Sequence, residues 1–119
     1  MALPLNIDQY AVTIGAGASL SGSIAMGADT LVGLVMPSAW TAAGLSFQVS
    51  ADGGTTWVEL CDTTGTLIAL SAAASHFVQV AASNWRGINM IKVRSGTAAA
   101  PVNQTLAATI VLIGRPEIF

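Results

Sequence analysis

The stretch Gly44-Leu45-Ser46-Phe47-Gln48-Val49-Ser50-Ala51-Asp52-Gly53-Gly54-Thr55-Thr56-Trp57-Val58-Glu59-Leu60 decides the fold class. Leu45, Phe47 and Val49 alternate with Ser46, Gln48 and Ser50, the period-2 signature of a strand with one buried and one polar face. Asp52-Gly53-Gly54 follows. Glycine reaches positive φ without steric cost, so these residues predict a tight hairpin turn. A second strand then returns from Thr55 to Leu60. The hairpin supplies backbone pairing and no catalytic group, and it points to an all-β sandwich.

The flanking sequence extends that pattern. Residues 9–14 read as a first strand, closed by Gly15-Ala16-Gly17. Residues 19–26 alternate weakly and predict an edge strand. Gly27-Ala28-Asp29 turns into residues 30–36, whose continuous apolar character predicts a strand covered on both faces. Pro37 ends that strand because it cannot donate to the ladder, and residues 38–43 form a short connection in which Ser38 is a candidate helix cap. Downstream of the hairpin, Asp62-Thr63-Thr64-Gly65 reads as a turn. Short strands are expected at 66–70 and 76–80, and a bend or single helical turn at 83–87. Strands over 88–94 and 104–113 are expected to pair around the Gly- and Pro-containing loop 95–103. Eight to nine short strands with no long helix predict a single antiparallel β-sandwich, jelly-roll-like, over residues 1–119. A short N-terminal arm (1–6) and a C-terminal tail (115–119) flank it.

Composition narrows the function classes. Charged residues are 8% of the 119-residue chain and hydrophobic residues 53%, against about 25% charged in an average soluble domain. Four basic and six acidic residues cannot cover a domain surface in the usual way. Ser, Thr, Gly, Ala and Asn, or another protein, must form the rest, and extensive assembly is the economical reading. Membrane insertion does not explain the apolarity, because no apolar run approaches the roughly 18 residues of a spanning helix. Gly and Pro also interrupt the chain too often for an outer-membrane barrel. Met1-Ala2-Leu3-Pro4-Leu5-Asn6 lacks the basic segment and apolar core of a signal peptide. Together with the single Cys61, that suggests assembly in a reducing cytoplasm. A net charge of −2 with only Arg86, Lys92, Arg94 and Arg115 as basic residues argues against a nucleic-acid partner.

The residues that could carry chemistry are few. His76 is the only histidine and opens an apolar strand; Cys61 ends one and is expected to be a buried small hydrophobe. Asp29, Asp52 and Asp62 fall in turns, where aspartate bonds its own backbone, which leaves Asp8, Glu59 and Glu117. No base–nucleophile pair, carboxylate pair or metal-ligand set is recognisable, so no enzyme, cofactor or metal is expected. Trp40 and Trp85 are expected to plug the ends of the sandwich. Trp57 has opposite parity to Val58 and Leu60; if those two point into the core, Trp57 faces outward or lies under a loop. Structural cover, a protein contact and a sugar contact all remain open for it. Leu3-Pro4-Leu5 and Ile118-Phe119 end the tails in apolar side chains that either fold back or meet a neighbour. Leu3, Pro4, Leu5, Trp57, Ile118 and Phe119 are therefore the candidate protein interface, and Asp52, Gly53 and Gly54 the structural turn.

Three segments also resemble a known group. The pattern Ser50-Ala51-Asp52-Gly53-Gly54-Thr55-Thr56-Trp57, preceded by Met36-Pro37-Ser38-Ala39-Trp40-Thr41, is the first part of the resemblance. Ile91-Lys92-Val93-Arg94-Ser95-Gly96-Thr97-Ala98-Ala99-Ala100-Pro101-Val102 completes it. In this order they resemble small phage-encoded β-sandwich proteins of the virion head, and the hairpin is more loosely similar to that of discoidin-like carbohydrate-binding sandwiches. The resemblance implies a capsid decoration (cement) protein on the virion surface. Its partners would be the major capsid protein and itself, as a homotrimer over junctions of the capsid lattice. A tail, neck or fibre component and a carbohydrate-binding module are the alternatives.

Overall fold

The computed structural model describes residues 7–116, so Leu3, Pro4, Leu5, Ile118 and Phe119 lie outside the described residues. Eight strands form two antiparallel sheets. In chain order they are β1 (Asp8–Ile14), β2 (Ile24–Ala25), β3 (Asp29–Val35), β4 (Leu45–Ser50), β5 (Val58–Glu59), β6 (Phe77–Gln79), β7 (Met90–Ser95) and β8 (Ala108–Pro116). One sheet has the order β1-β8-β3-β6 and the other β2-β7-β4-β5. This interleaving of two Greek keys is the jelly-roll topology.

Period-2 alternation sets the two faces of each strand. On β8, Ala108, Ile110 and Leu112 are fully buried, while Thr109, Val111 and Ile113 take the opposite parity. On β1, Val12 and Ile14 point inward with Tyr10. A register shift between Leu31 and Gly33 of β3 marks a bulge. The extra residue lets Leu31 and Leu34, three apart, both reach the core. From the second sheet come Leu45, Phe47, Ile91 and Val93, all at most 1% exposed. Trp85 follows a single 3-10 turn, Ala82–Asn84, and meets Phe47 edge-on with ring centroids 4.7 Å apart. That T-shaped pair adds about 0.5–1.5 kcal/mol beyond the area it buries. Trp85 is thus buried in the core, and Trp40 packs against that core half-buried.

Several expectations need correction. The strands over 88–94 and 104–113 exist as β7 and β8, but they belong to different sheets and do not pair. The loop between them is a crossover from one sheet to the other, which local sequence does not reveal. Residues 66–70 make only isolated bridges, Cys61 to Leu67 and Leu45 to Leu70. Residues 38–43 bend without forming a helical turn. The hairpin connection is a seven-residue loop, 51–57, rather than a tight turn, because the register joins Val49 to Val58 and Gln48 to Glu59. Cys61 is exposed. By contrast, β3 is buried over most of its length, as its apolar run predicts: Thr30 and Gly33 on the outer side are buried, and only Val35, 39% exposed, is open to water.

The two glycines of the hairpin loop do need their conformations. Gly53 and Gly54 have φ of 75° and 97°. A Cβ on Gly54 would also press within 3.3 Å of Met90 Cε. Gly53→Val and Gly54→Val should each lower the unfolding free energy by about 1–2 kcal/mol, Gly54→Val the more. Urea denaturation of the two variants checks this, and midpoints equal to that of the native chain would contradict it.

Candidate interaction surfaces

The sheet β1-β8-β3-β6 turns an uncharged face to water. Strand register places Ala11, Val111, Val35 and Phe77 in one row across all four strands. Gln9, Ile113, Gly33 and Gln79 form the next row. Beyond the first row, Thr13 and Thr109 pair through their hydroxyls at 2.9 Å. Phe77 is 55% exposed, and its ring lies over Gly33. A Cβ on Gly33 would stand 2.4 Å from the Phe77 ring, so the absence of a side chain there is what lets the ring pack against β3. A cleft lined by Ala72, Ala73, His76, Phe77 and Val78 continues this face past the edge of β6. The first charge met along the outward side of β8 is Arg115.

The outer face of the other sheet is built differently. Arg94 on β7 is 5% exposed and donates to Glu59 on β5 through both terminal nitrogens, at 2.7 and 2.5 Å. The same guanidinium donates to Ser46 Oγ at 3.3 Å, Ser46 donates to the Gly96 carbonyl at 2.7 Å, and Gln48 donates to Glu59 at 3.2 Å. A fork of two charge-assisted bonds is the geometry in which a buried guanidinium is tolerated. Lys92, one register pair along, sits 4.4 Å above the Trp57 ring centroid. Trp57 Nε1 donates to the Gly54 carbonyl at 3.0 Å. Trp57 is thus half-buried as a lid on its own hairpin loop, with one ring face occupied by a cation. Val58 is 56% exposed and Leu60 is 7% exposed, so only Leu60 meets the premise of the parity argument made for Trp57.

The hairpin aspartate plays the role its turn position suggests. Asp52 Oδ1 accepts from the backbone N–H groups of Thr56 at 2.8 Å and Thr55 at 3.1 Å, and from Ser50 Oγ at 2.8 Å. Bonds to Thr56 and Ser50 stabilise the carboxylate and pull its pKa down to about 2. Asp62 repeats the arrangement with Thr64 and Thr66, and its pKa is also lowered. Asp29 behaves otherwise. It is 7% exposed and accepts from the Tyr10 hydroxyl at 2.5 Å. A hydrogen bond to Asp29, and its negative charge, hold the Asp8 carboxyl above the ordinary range. The bond to Asp29 pushes the Tyr10 hydroxyl up to about 12. This pair of carboxyls from β1 and β3 was invisible in the sequence, since the strands that carry them are joined only through β8.

His76 and Cys61 lie beside strands of different sheets. His76 is exposed, with Nδ1 2.7 Å from the Ala74 carbonyl, at the start of an edge strand of one sheet. Cys61 follows an edge strand of the other. Among the described residues no group of three or more His, Cys, Asp or Glu side chains is placed to hold a metal ion. No helix among them is long and apolar enough to cross a membrane. No family model, curated protein or solved structure matches this chain.

Two outcomes follow from these geometries. Glu59→Ala leaves the Arg94 side chain, 6% exposed, without its carboxylate and should cost about 2–3 kcal/mol. That is below the figure for a fully buried pair, because Glu59 keeps a third of its side chain in water. Denaturant titration of Glu59→Ala and Arg94→Met together reads the coupling. Asp52 has a lower pKa folded than unfolded, so its contribution is present above pH 4 and is lost as pH falls through about 2. Asp52→Asn should lower the melting temperature at pH 7 and flatten its pH dependence between pH 4 and 2. An unchanged profile would show that the carboxylate does not hold the loop.

Proposed function

We propose that this chain is a structural virion protein, a capsid decoration protein that attaches to the phage head and stabilises its lattice without catalysing a reaction. The observation that carries this reading is the uncharged outer face of β1-β8-β3-β6, which exposes Phe77 and Val35. The central strands β3 and β8 have near-continuous apolar sequences, as strands covered on both sides do, and on their outer side Val35 is exposed and Val111 partly so. A chain with ten formal charges in 119 residues has little means of repelling neighbours, which suits a protein meant to be packed against others. The jelly roll is a fold of viral capsid and lectin domains, and fold alone does not choose between them.

The tryptophans favour assembly over sugar binding. A sugar platform needs free aromatic faces beside unpaired polar groups. Trp85 is in the core, Trp57 is stacked by Lys92, and the Trp40 indole N–H is already bonded to the Ala43 carbonyl at 3.2 Å. Four strands about 4.8 Å apart, over about 17 Å of their length, offer roughly 300 Å², against about 800 Å² per partner for a standard interface. Attachment through this face therefore relies on repetition over a lattice, on contacts between copies, or on both.

Val35→Asp and Phe77→Asp test the reading. Both positions are exposed, so the free domain should melt close to the native temperature. Occupancy on particles, measured by quantitative mass spectrometry, should fall about tenfold or more, the effect of losing a centrally placed apolar anchor. Full occupancy with both substitutions would remove this face from attachment.

A further inference from the structure

A small apolar socket lies at the end of the sandwich where β8 begins. Ala39, Trp40, Thr41, Thr105 and Leu106 line a cavity of about 190 Å³, and Leu106 is 61% exposed on its rim. The two loops that form it are latched by Gln104, which is 1% exposed. Gln104 Oε1 accepts from the Thr41 N–H at 2.8 Å, and its Nε2 donates to the Thr41 carbonyl at 3.0 Å and to Ser95 Oγ at 2.7 Å. The Thr41 and Thr105 hydroxyls are 3.2 Å apart and bonded to each other. The socket is thus held open before anything enters it, which lowers the ordering cost of binding. None of its lining residues is charged, and its indole N–H and paired hydroxyls are already engaged. A sugar or an ion finds little to bond there; an apolar side chain finds an indole face and a leucine.

Both ends of the described chain lie at the opposite end of the sandwich. Asp8 pairs with Gly114, and Pro116 closes β8 beside Asp29. The nine residues of β8, at about 3.3 Å each, put roughly 27 Å between Pro116 and the socket end. Residues 117–119 span at most about 10 Å, and residues 1–6 about 20 Å. Ile118 and Phe119 therefore cannot enter the socket of their own domain, whereas those of a second copy meet no such limit. Phe119 has the ring that an indole-walled cleft accepts edge-on. We propose that the chain self-associates head to tail, with Ile118 and Phe119 of one copy seated between Trp40 and Leu106 of the next. Such a contact is heterologous: it closes into a ring, a three-membered one matching the expected trimer, or runs on as a filament. The inference goes beyond attachment to a capsid and needs none.

Complementation tests it in solution. Leu106→Glu spoils the socket and leaves the tail intact; the double variant Ile118→Asp, Phe119→Asp does the reverse. The mass of each is read by sedimentation at about 100 μM, a concentration that populates any contact with a micromolar Kd. Circular dichroism melting confirms the fold of both. The native chain should exceed one protomer in mass, each variant alone should be monomeric, and their equimolar mixture should recover a dimer and nothing larger. A monomeric native chain, variants of undiminished mass, or a mixture that stays monomeric would each overturn the proposal. So would dissociation on removing residues 1–6 with no effect of the Ile118→Asp, Phe119→Asp pair, which would assign the contact to the N-terminal arm. Capsid occupancy of Val35→Asp and Phe77→Asp is read on a different face, so the two readings fail separately.

Discussion

The outer face of the sheet β1-β8-β3-β6 carries an apolar row that water cannot hydrogen-bond, set between Gln9 and Gln79 on one side and Thr13 and Thr109 on the other. A row of Ala11, Val111, Val35 and Phe77 offers solvent neither charge nor hydrogen bond. Phe77 packs against Gly33, where any side chain would displace it. Folding buries the inner face of the same strands against Phe47, Trp85 and their neighbours. The outer face stays available for another protein at about 25 cal/mol per Å² of apolar surface removed from water.

The other sheet solves its outer face by internal means. Arg94, Glu59, Ser46 and Gln48 bond one another across β7, β4 and β5, and Lys92 lies over Trp57. Four of the chain's few ionisable or amide side chains are used in this ladder, which fixes the register of the short strand β5 at the sheet edge. The division of labour is clear in physical terms. One outer face is closed by its own polar contacts, and the other keeps an exposed apolar row between polar ones.

Alternation made the strands legible where one face is polar. Leu45, Phe47 and Val49 against Ser46, Gln48 and Ser50 located β4, and the turn aspartates Asp52 and Asp62 bond the backbone as their positions imply. Pairing across long separations was not legible. That β7 and β8 sit in different sheets depends on the crossover of the whole chain, and the Asp8–Asp29–Tyr10 cluster depends on β8 lying between β1 and β3. The apolar run of β3 predicts burial on both sides, and the strand is buried over most of its length, with only Val35 exposed. The Trp40–Leu106 socket is not legible in the sequence because its walls come from two loops some sixty residues apart, tied by Gln104 and by the Thr41–Thr105 hydroxyls.

The central claim is that the outer face of β1-β8-β3-β6 is an interface in the working assembly. Hydroxyl-radical footprinting of the chain, first isolated and dilute, then within the particle it purifies with, measures this at side-chain resolution. The account predicts strong oxidation of Phe77 and detectable oxidation of Val35 and Val111 in the free chain, all sharply suppressed in the particle, with exposed Val58 on the other sheet as internal reference. Equal labelling of Phe77 in both states, with the reference unchanged, would contradict it.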